Sequence, residues 1–229
     1  MITDRDRVVK AFRAESARLG EVALNWMERD WGLPTRCEPW RVRDLFGHVR
    51  VVIAWLPGML AGASPDPAQV SARQYYRPDE RFSTATNDTR ISLAQEHAAD
   101  FPDGRALAED FAATWQKVYR LCSAEPADRV VRTRHDDAML LSEFLVTRVV
   151  EVAVHGLDLA AALECVPWLT PEAGSVVEEL LTGHSDSTDR QALGWDQATF
   201  LEKATGRQLL TPAEDRQLAD MNLRWLTLG

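Results

Sequence analysis

The sequence predicts an all-α protein, a four-helix bundle with a small, mainly helical C-terminal extension, and three observations carry that expectation. Apolar residues recur at three- and four-residue spacing through nearly every segment, with no strand-rich region and no convincing internal repeat. A 45% hydrophobic composition with eight tryptophans over 229 residues supplies a full-sized core and argues against disorder. Thr170-Pro171-Glu172-Ala173 and Thr211-Pro212-Ala213-Glu214 are two helix starts, each with Thr as cap and Pro at the first helical position, so the last part is a set of short helices. The expected division is a bundle over 1–165 and an extension over 166–229.

The first helix is expected from about 4 to 30, with Val8, Phe12, Leu19, Val22, Ala23 and Trp26 on its apolar face. After the turn signals Gly32 and Pro34, the positions Val42, Leu45, Phe46, Val49, Val52, Ile53 and Leu56 form a regular helical stripe, which Pro57 and Gly58 bend or end. Residues 59–86 are rich in Ala, Pro, Ser and Arg without a period, and read as a long loop whose Tyr75, Tyr76 and Arg77 could line a substrate entrance. A third helical region spans about 89–124, interrupted at 101–104, with Leu107, Phe111, Trp115, Val118 and Leu121 on its second half. The fourth helix spans about 138–164. In the extension, the segment from Trp195 to Leu210 reads as one more helix closed by Gly206, and a final helix runs through Leu223, Trp225 and Leu226.

A formal charge of −9 disfavours nucleic acid or an anionic membrane as partner and favours a small molecule or a protein. No stretch reaches the roughly 20 apolar residues of a membrane span, and the N-terminus lacks the pattern of a signal peptide, so the expected location is cytoplasmic. Cys37, Cys122 and Cys165 are odd in number and scattered, as reduced thiols are. The oligomeric state stays open, a homodimer included.

The fourth helix carries the chemistry. Thr147, Glu151, His155 and Asp158 recur at intervals of four, four and three, so they share one face of a helix otherwise covered by Leu, Val and Ala. Burying a carboxylate beside an imidazole costs several kcal/mol unless partners or a metal compensate. Glu151 and His155 converge on one point, and a catalytic zinc needs three protein ligands with one position left open. His48, at the edge of its helix's apolar stripe, is the best third ligand; His97, His135 and His184 lie in polar runs and read as solvated. Asp158 is placed to orient an imidazole, or to bond a backbone amide or Arg148. The structural alternative for Glu151 is a pair with Arg148 three residues before it.

The segment from Thr35 to Val49, with Cys37, Trp40, Val42, Arg43, Asp44 and His48, resembles the C-P-G-W-T-V-R-D signature with its following histidine in the mycothiol-dependent maleylpyruvate isomerase N-terminal family, within the DinB-like superfamily. The run from Val146 to Ala160 is similar to the family's second signature, R-x-x-E-x-x-x-H-x-x-D-L. The resemblance covers about residues 5–165 and implies a divalent metal, usually zinc, held by His48, Glu151 and His155. It also implies activation of a low-molecular-weight thiol, typically mycothiol in actinobacteria, for attack on a small electrophile, in an isomerase or in a transferase. Glu38-Pro39-Trp40 stands where the family has Pro-Gly-Trp. The C-terminal part shows no clear match to the isomerase's mixed α/β domain, although Thr205-Gly206-Arg207 resembles an element of many members. Arg207 is a catalytic-site candidate, its guanidinium fork suited to a substrate carboxylate, with an exposed helix-end arginine as the alternative. Cys37 and Trp40 read as packing residues. A bundle that keeps its metal but acts as a non-catalytic ligand-binding or regulatory module is the competing function.

Overall fold

The computed structural model describes residues 4–65, 67–77, 79, 83–185, 187–226 and 228. Helices α1 (Arg5–Ala23), α2 (Val42–Ala61), α5 (Gly104–Ala124) and α6 (Leu141–Ala162) pack in a ring in which α1 and α2 each touch both α5 and α6. That ring is the expected bundle. Helix α4 (Thr84–Ala99) lies outside against α2, and the short α3 (Ala72–Tyr75) rests on α6. In the extension, α7 (Pro171–Thr182) packs on α1 and α6, with α8 (Thr188–Leu193), α9 (Gln197–Ala204) and α10 (Pro212–Asp220) following.

Local chemistry sets most of the helix ends. Asp4 caps α1 by accepting from the amides of Asp6 and Arg7, Asp103 caps α5 through Ala106, and Thr211 and Glu214 form a reciprocal capping box on α10. Gly183 closes α7 at φ 88°, a left-handed conformation that a Cβ would disfavour. Phe12, Phe46, Phe111 and Phe144, one from each bundle helix, are fully buried at the centre of the core.

Several expectations change. The first helix stops at Ala23 rather than near 30, where the Asn25 side-chain amide donates back to the Glu21 carbonyl at 2.8 Å. Trp26 then leaves the helix to pack against Trp31, Phe46 and Trp168. Pro57 does not end α2, which continues to Ala61 and shortens the expected loop; α4 likewise begins at Thr84, inside that loop. Part of the loop, residues 66, 78 and 80–82, lies outside the described residues. Residues 138–140 are not the start of the fourth helix but strand β2, paired antiparallel with β1 (Val130–Arg132). A hairpin of three residues per strand is too short for period-two alternation to register. Contrary to the expectation, helix α2 is long and apolar enough to cross a membrane, yet half of it is buried and its apolar stripe forms the bundle core.

Candidate metal and thiol site

The site forms where α2 and α6 face each other beneath the segment that precedes α2. That segment folds back on itself: the Thr35 amide and hydroxyl both donate to the Trp40 carbonyl, at 3.1 and 2.7 Å, and the Val42 amide donates to the Leu33 carbonyl at 2.9 Å. The fold-back carries Arg36, Cys37 and Trp40 over the polar stripe of α6. Trp40 does more than pack, since its ring stacks on His48 with centroids 4.7 Å apart and fixes the imidazole plane.

His48, Glu151 and His155 come together. Glu151 Oε2 lies 3.2 Å from His48 Nε2 and 3.3 Å from His155 Nε2. Donors bound tetrahedrally at about 2.0–2.1 Å from a zinc ion are about 3.3 Å apart, so both edges fit a divalent ion without rearrangement. Two imidazoles and a carboxylate are also the donor set of a catalytic zinc with one open position. The other nitrogen of His155, Nδ1, lies 2.9 Å from Asp158 Oδ2, the carboxylate-histidine contact that fixes which nitrogen is free to ligate.

Asp158 is fully buried and bears two guanidinium groups: Arg36 Nε donates to Oδ1 at 2.6 Å, while Arg207 Nε and Nη2 donate to the two carboxylate oxygens at 2.8 and 2.9 Å. Cys37 Sγ lies 3.3 Å from Oδ2, so this thiol joins the network instead of serving as an inert packing residue. Cys37, His155 and Asp158 also lie close enough to hold an ion. Asp158 is already saturated by two arginines and an imidazole, which favours the His48, Glu151, His155 group. Arg207 is neither free nor an exposed helix end; Gly206 at φ 73° turns the chain so that its fork meets Asp158.

Buried Arg148 divides its donors between Thr147 Oγ1 at 3.1 Å and the Val52 carbonyl at 3.1 Å, and approaches Glu151 only to 3.8 Å. Pairing with Arg148 therefore leaves Glu151 Oε2 to the two histidines. Thr147 donates to the Phe144 carbonyl at 2.6 Å and takes no part in the cluster.

Burial pushes the His48 imidazole down, against the pull of Glu151. Burial acts the same way on His155, but Asp158, Cys37 and Glu151 outweigh it and hold His155 well above the usual histidine range. Burial would raise Glu151 and Asp158, yet their hydrogen bonds to His155, with His48 for Glu151 and Arg207 for Asp158, hold both well below the carboxylate range.

The cluster opens into a cavity of about 810 Å³ lined by residues from both parts of the chain, among them Trp55, Tyr76, Arg134 and Trp225. Tyr75 and Tyr76 of the expected loop do line it; Arg77 instead pairs with Asp79 and Asp137. Of the other histidines, His184 keeps a partly exposed side chain as expected while pairing with Asp189 at 2.9 Å, whereas His135 lines the cavity and His97 packs on Phe101. Sequence reading missed Arg36, Arg134 and Trp55: Arg36 and Arg134 lie outside the helices and carry no spacing signal, with adjacency to the first signature as the available cue for Arg36, whereas Trp55 lies on α2 seven residues after His48, a helical spacing that was readable.

Fold and donor cluster define an all-α helical-bundle protein with residues suited to a divalent ion. The chain belongs to the mycothiol maleylpyruvate isomerase N-terminal domain family, whose sequence profile matches residues 12–160. Two solved structures share the fold: a histidine-to-alanine variant of the mycothiol-dependent maleylpyruvate isomerase (TM-score 0.59, 14% identity) and that isomerase itself (TM-score 0.56, 15% identity). Each comparison covers 90% of this chain and 90% of the other, so the likeness extends past the bundle into the C-terminal helices. Among curated proteins, none matches the sequence.

Proposed function

We propose that the protein is a divalent-metal, zinc-type thiol transferase or isomerase that activates a low-molecular-weight thiol such as mycothiol for attack on a small electrophile. His48, Glu151 and His155 are the ligands in this reading, residues 1–165 form the metal-binding bundle, and 166–229 close over its site. The observation that carries it is the shared Glu151 oxygen 3.2 and 3.3 Å from two imidazole nitrogens, with Asp158 behind one of them. When bound there, a zinc-type ion supplies a lowered thiol pKa and holds a thiolate near neutral pH.

The protein's own residues do the rest. Asp158 takes the Nδ1 proton of His155 in a hydrogen bond and keeps Nε2 directed at the cluster. Arg36 and Arg207 neutralise Asp158, so the carboxylate holds position without taking a proton itself. Trp40, stacked on His48, covers one face of that imidazole and holds its plane toward the cluster. Family membership supports mycothiol dependence; a transferase leaves the thiol on its acceptor and an isomerase releases it.

Elemental analysis of the purified protein beside His48→Ala, Glu151→Ala and His155→Ala is the first test, followed by thiol consumption against a panel of electrophiles. The expectation is about one divalent ion per chain, lost in each variant together with turnover. Metal-free protein prepared without chelators refutes the reading. Stoichiometric metal without thiol consumption assigns the bundle to ligand binding instead.

A further inference from the structure

Asp158 is the point where three parts of the chain meet behind the donor cluster. Its carboxylate holds His155 Nδ1 at 2.9 Å, so the position of Asp158 sets where His155 Nε2 is directed. Two guanidinium groups in turn hold the carboxylate. Arg207 reaches it from the extension through two nitrogens of its fork, at 2.8 and 2.9 Å, and Arg36 reaches it from the segment before α2 at 2.6 Å. Arg36 also donates to Glu202 Oε1 on α9 at 3.1 Å. The extension therefore has two routes to Asp158, one directly through Arg207 and one from Glu202 through Arg36. It meets Asp158 as a stiff unit: the Arg207 and Gln208 amides both donate to the Glu202 carbonyl, at 2.7 and 3.0 Å, and Arg207 Nη1 donates to the Thr205 carbonyl at 3.1 Å. The turn at Gly206 is thus bonded to the end of α9, whose Phe200 and Leu201 are fully buried in the core. Displacing α9 from the bundle strips Asp158 of its bidentate partner and Arg36 of Glu202. A carboxylate released in this way no longer fixes His155 in one orientation, and the ordering cost then falls on ion binding.

We propose that docking of α9 onto the bundle and occupation of the His48, Glu151 and His155 cluster by a divalent ion form one coupled equilibrium, transmitted through Asp158 by Arg207 and Arg36. The inference rests on the metal-site reading above. With α9 docked, the two arginines hold Asp158, and through it His155, in place for the ion. Linkage is reciprocal: the factor by which docking strengthens ion binding is the factor by which the ion strengthens docking. Ala204, Thr205, Gly206 and Arg207 also line the cavity, so the segment held down by the ion is one wall of the cavity itself. Ion binding completes that wall, and loss of the ion loosens it.

The test is hydrogen–deuterium exchange of the full chain over residues 197–210, with and without saturating zinc, alongside zinc binding by isothermal titration. Zinc is expected to slow exchange of that segment about 10-fold, within the usual range of coupling between two sites. Glu202→Ala combined with Arg207→Ala severs α9 from both routes and leaves Asp158, Arg36 and the three donors in place. In this double variant, zinc at a concentration that fills its site is expected to leave exchange of the segment unchanged. Arg207→Lys, the milder second variant, keeps the charge without the fork and should retain only part of the protection. Zinc that binds the unaltered protein without slowing the segment, or that slows it equally in either variant, overturns the proposal while the metal-site reading stands. If the unaltered protein binds no zinc, the metal-site reading fails and this inference fails with it.

Discussion

Glu15 provides a quantitative test of how the extension is held to the bundle. It lies on α1 at 1% exposure, and its Oε2 accepts from the Thr170 amide at 2.8 Å and the Thr170 hydroxyl at 2.5 Å, at the cap of α7. Burial pushes its carboxyl up from 4.5 to about 7, against the Thr170 hydrogen bonds that favour the charged form. Below pH 4.5 both folded and unfolded chains hold this proton and it contributes nothing. Between pH 4.5 and about 7 the unfolded chain sheds the proton while the folded chain keeps it, so each unit of rising pH costs the fold about 1.4 kcal/mol. Above about 7 both states are ionised and the cost levels at about 3 kcal/mol. Glu15→Gln keeps an acceptor for Thr170 and removes the ionisation. Urea unfolding of both proteins at pH 5 and pH 8 reads the effect, because every other titrating group cancels in the difference. The variant should be more stable by less than about 1 kcal/mol at pH 5 and by about 3 kcal/mol at pH 8. The same gap at both pH values, or a variant less stable at pH 8, refutes the linkage.

Arg207→Ala exposes the buried Asp158 carboxylate to the loss of its bidentate partner and should cost about 3 kcal/mol in urea unfolding, with Arg207→Lys restoring only part because an ammonium cannot replace the fork. The same variant should weaken ion binding about 10- to 100-fold by isothermal titration, since Asp158 orients His155. Ion binding should release protons and weaken as pH falls: His155 is held protonated near neutrality and must give up that proton to ligate, which zinc titrations in buffers of different ionisation enthalpy will register. Gly104→Ala drives a Cβ into the Trp31 ring, itself buried against Trp26 and Phe46, and should cost about 2 kcal/mol by thermal unfolding.

The sequence by itself determined the helical class, the core faces of α2, α6 and, apart from the exposed Leu121, α5, the caps of α7 and α10, and the cluster members on a single helix. Glu151, His155 and Asp158 were legible because helical spacing of four and three places them on one face whatever the rest of the chain does. His48 was reachable because its position at the edge of the α2 stripe leaves few directions for its side chain. Tertiary structure alone decided the arginine partners of Asp158. Arg36 and Arg207 approach it from 122 and 49 residues away, through a fold-back before α2 and a turn at Gly206. The same holds for Tyr76, whose loop has no period and is placed only by contacts of α3 with α6 and α7. Helical periodicity encodes which residues within one element share a face. Contacts between elements depend on loop closure and on packing summed over the whole core, and no local spacing records them.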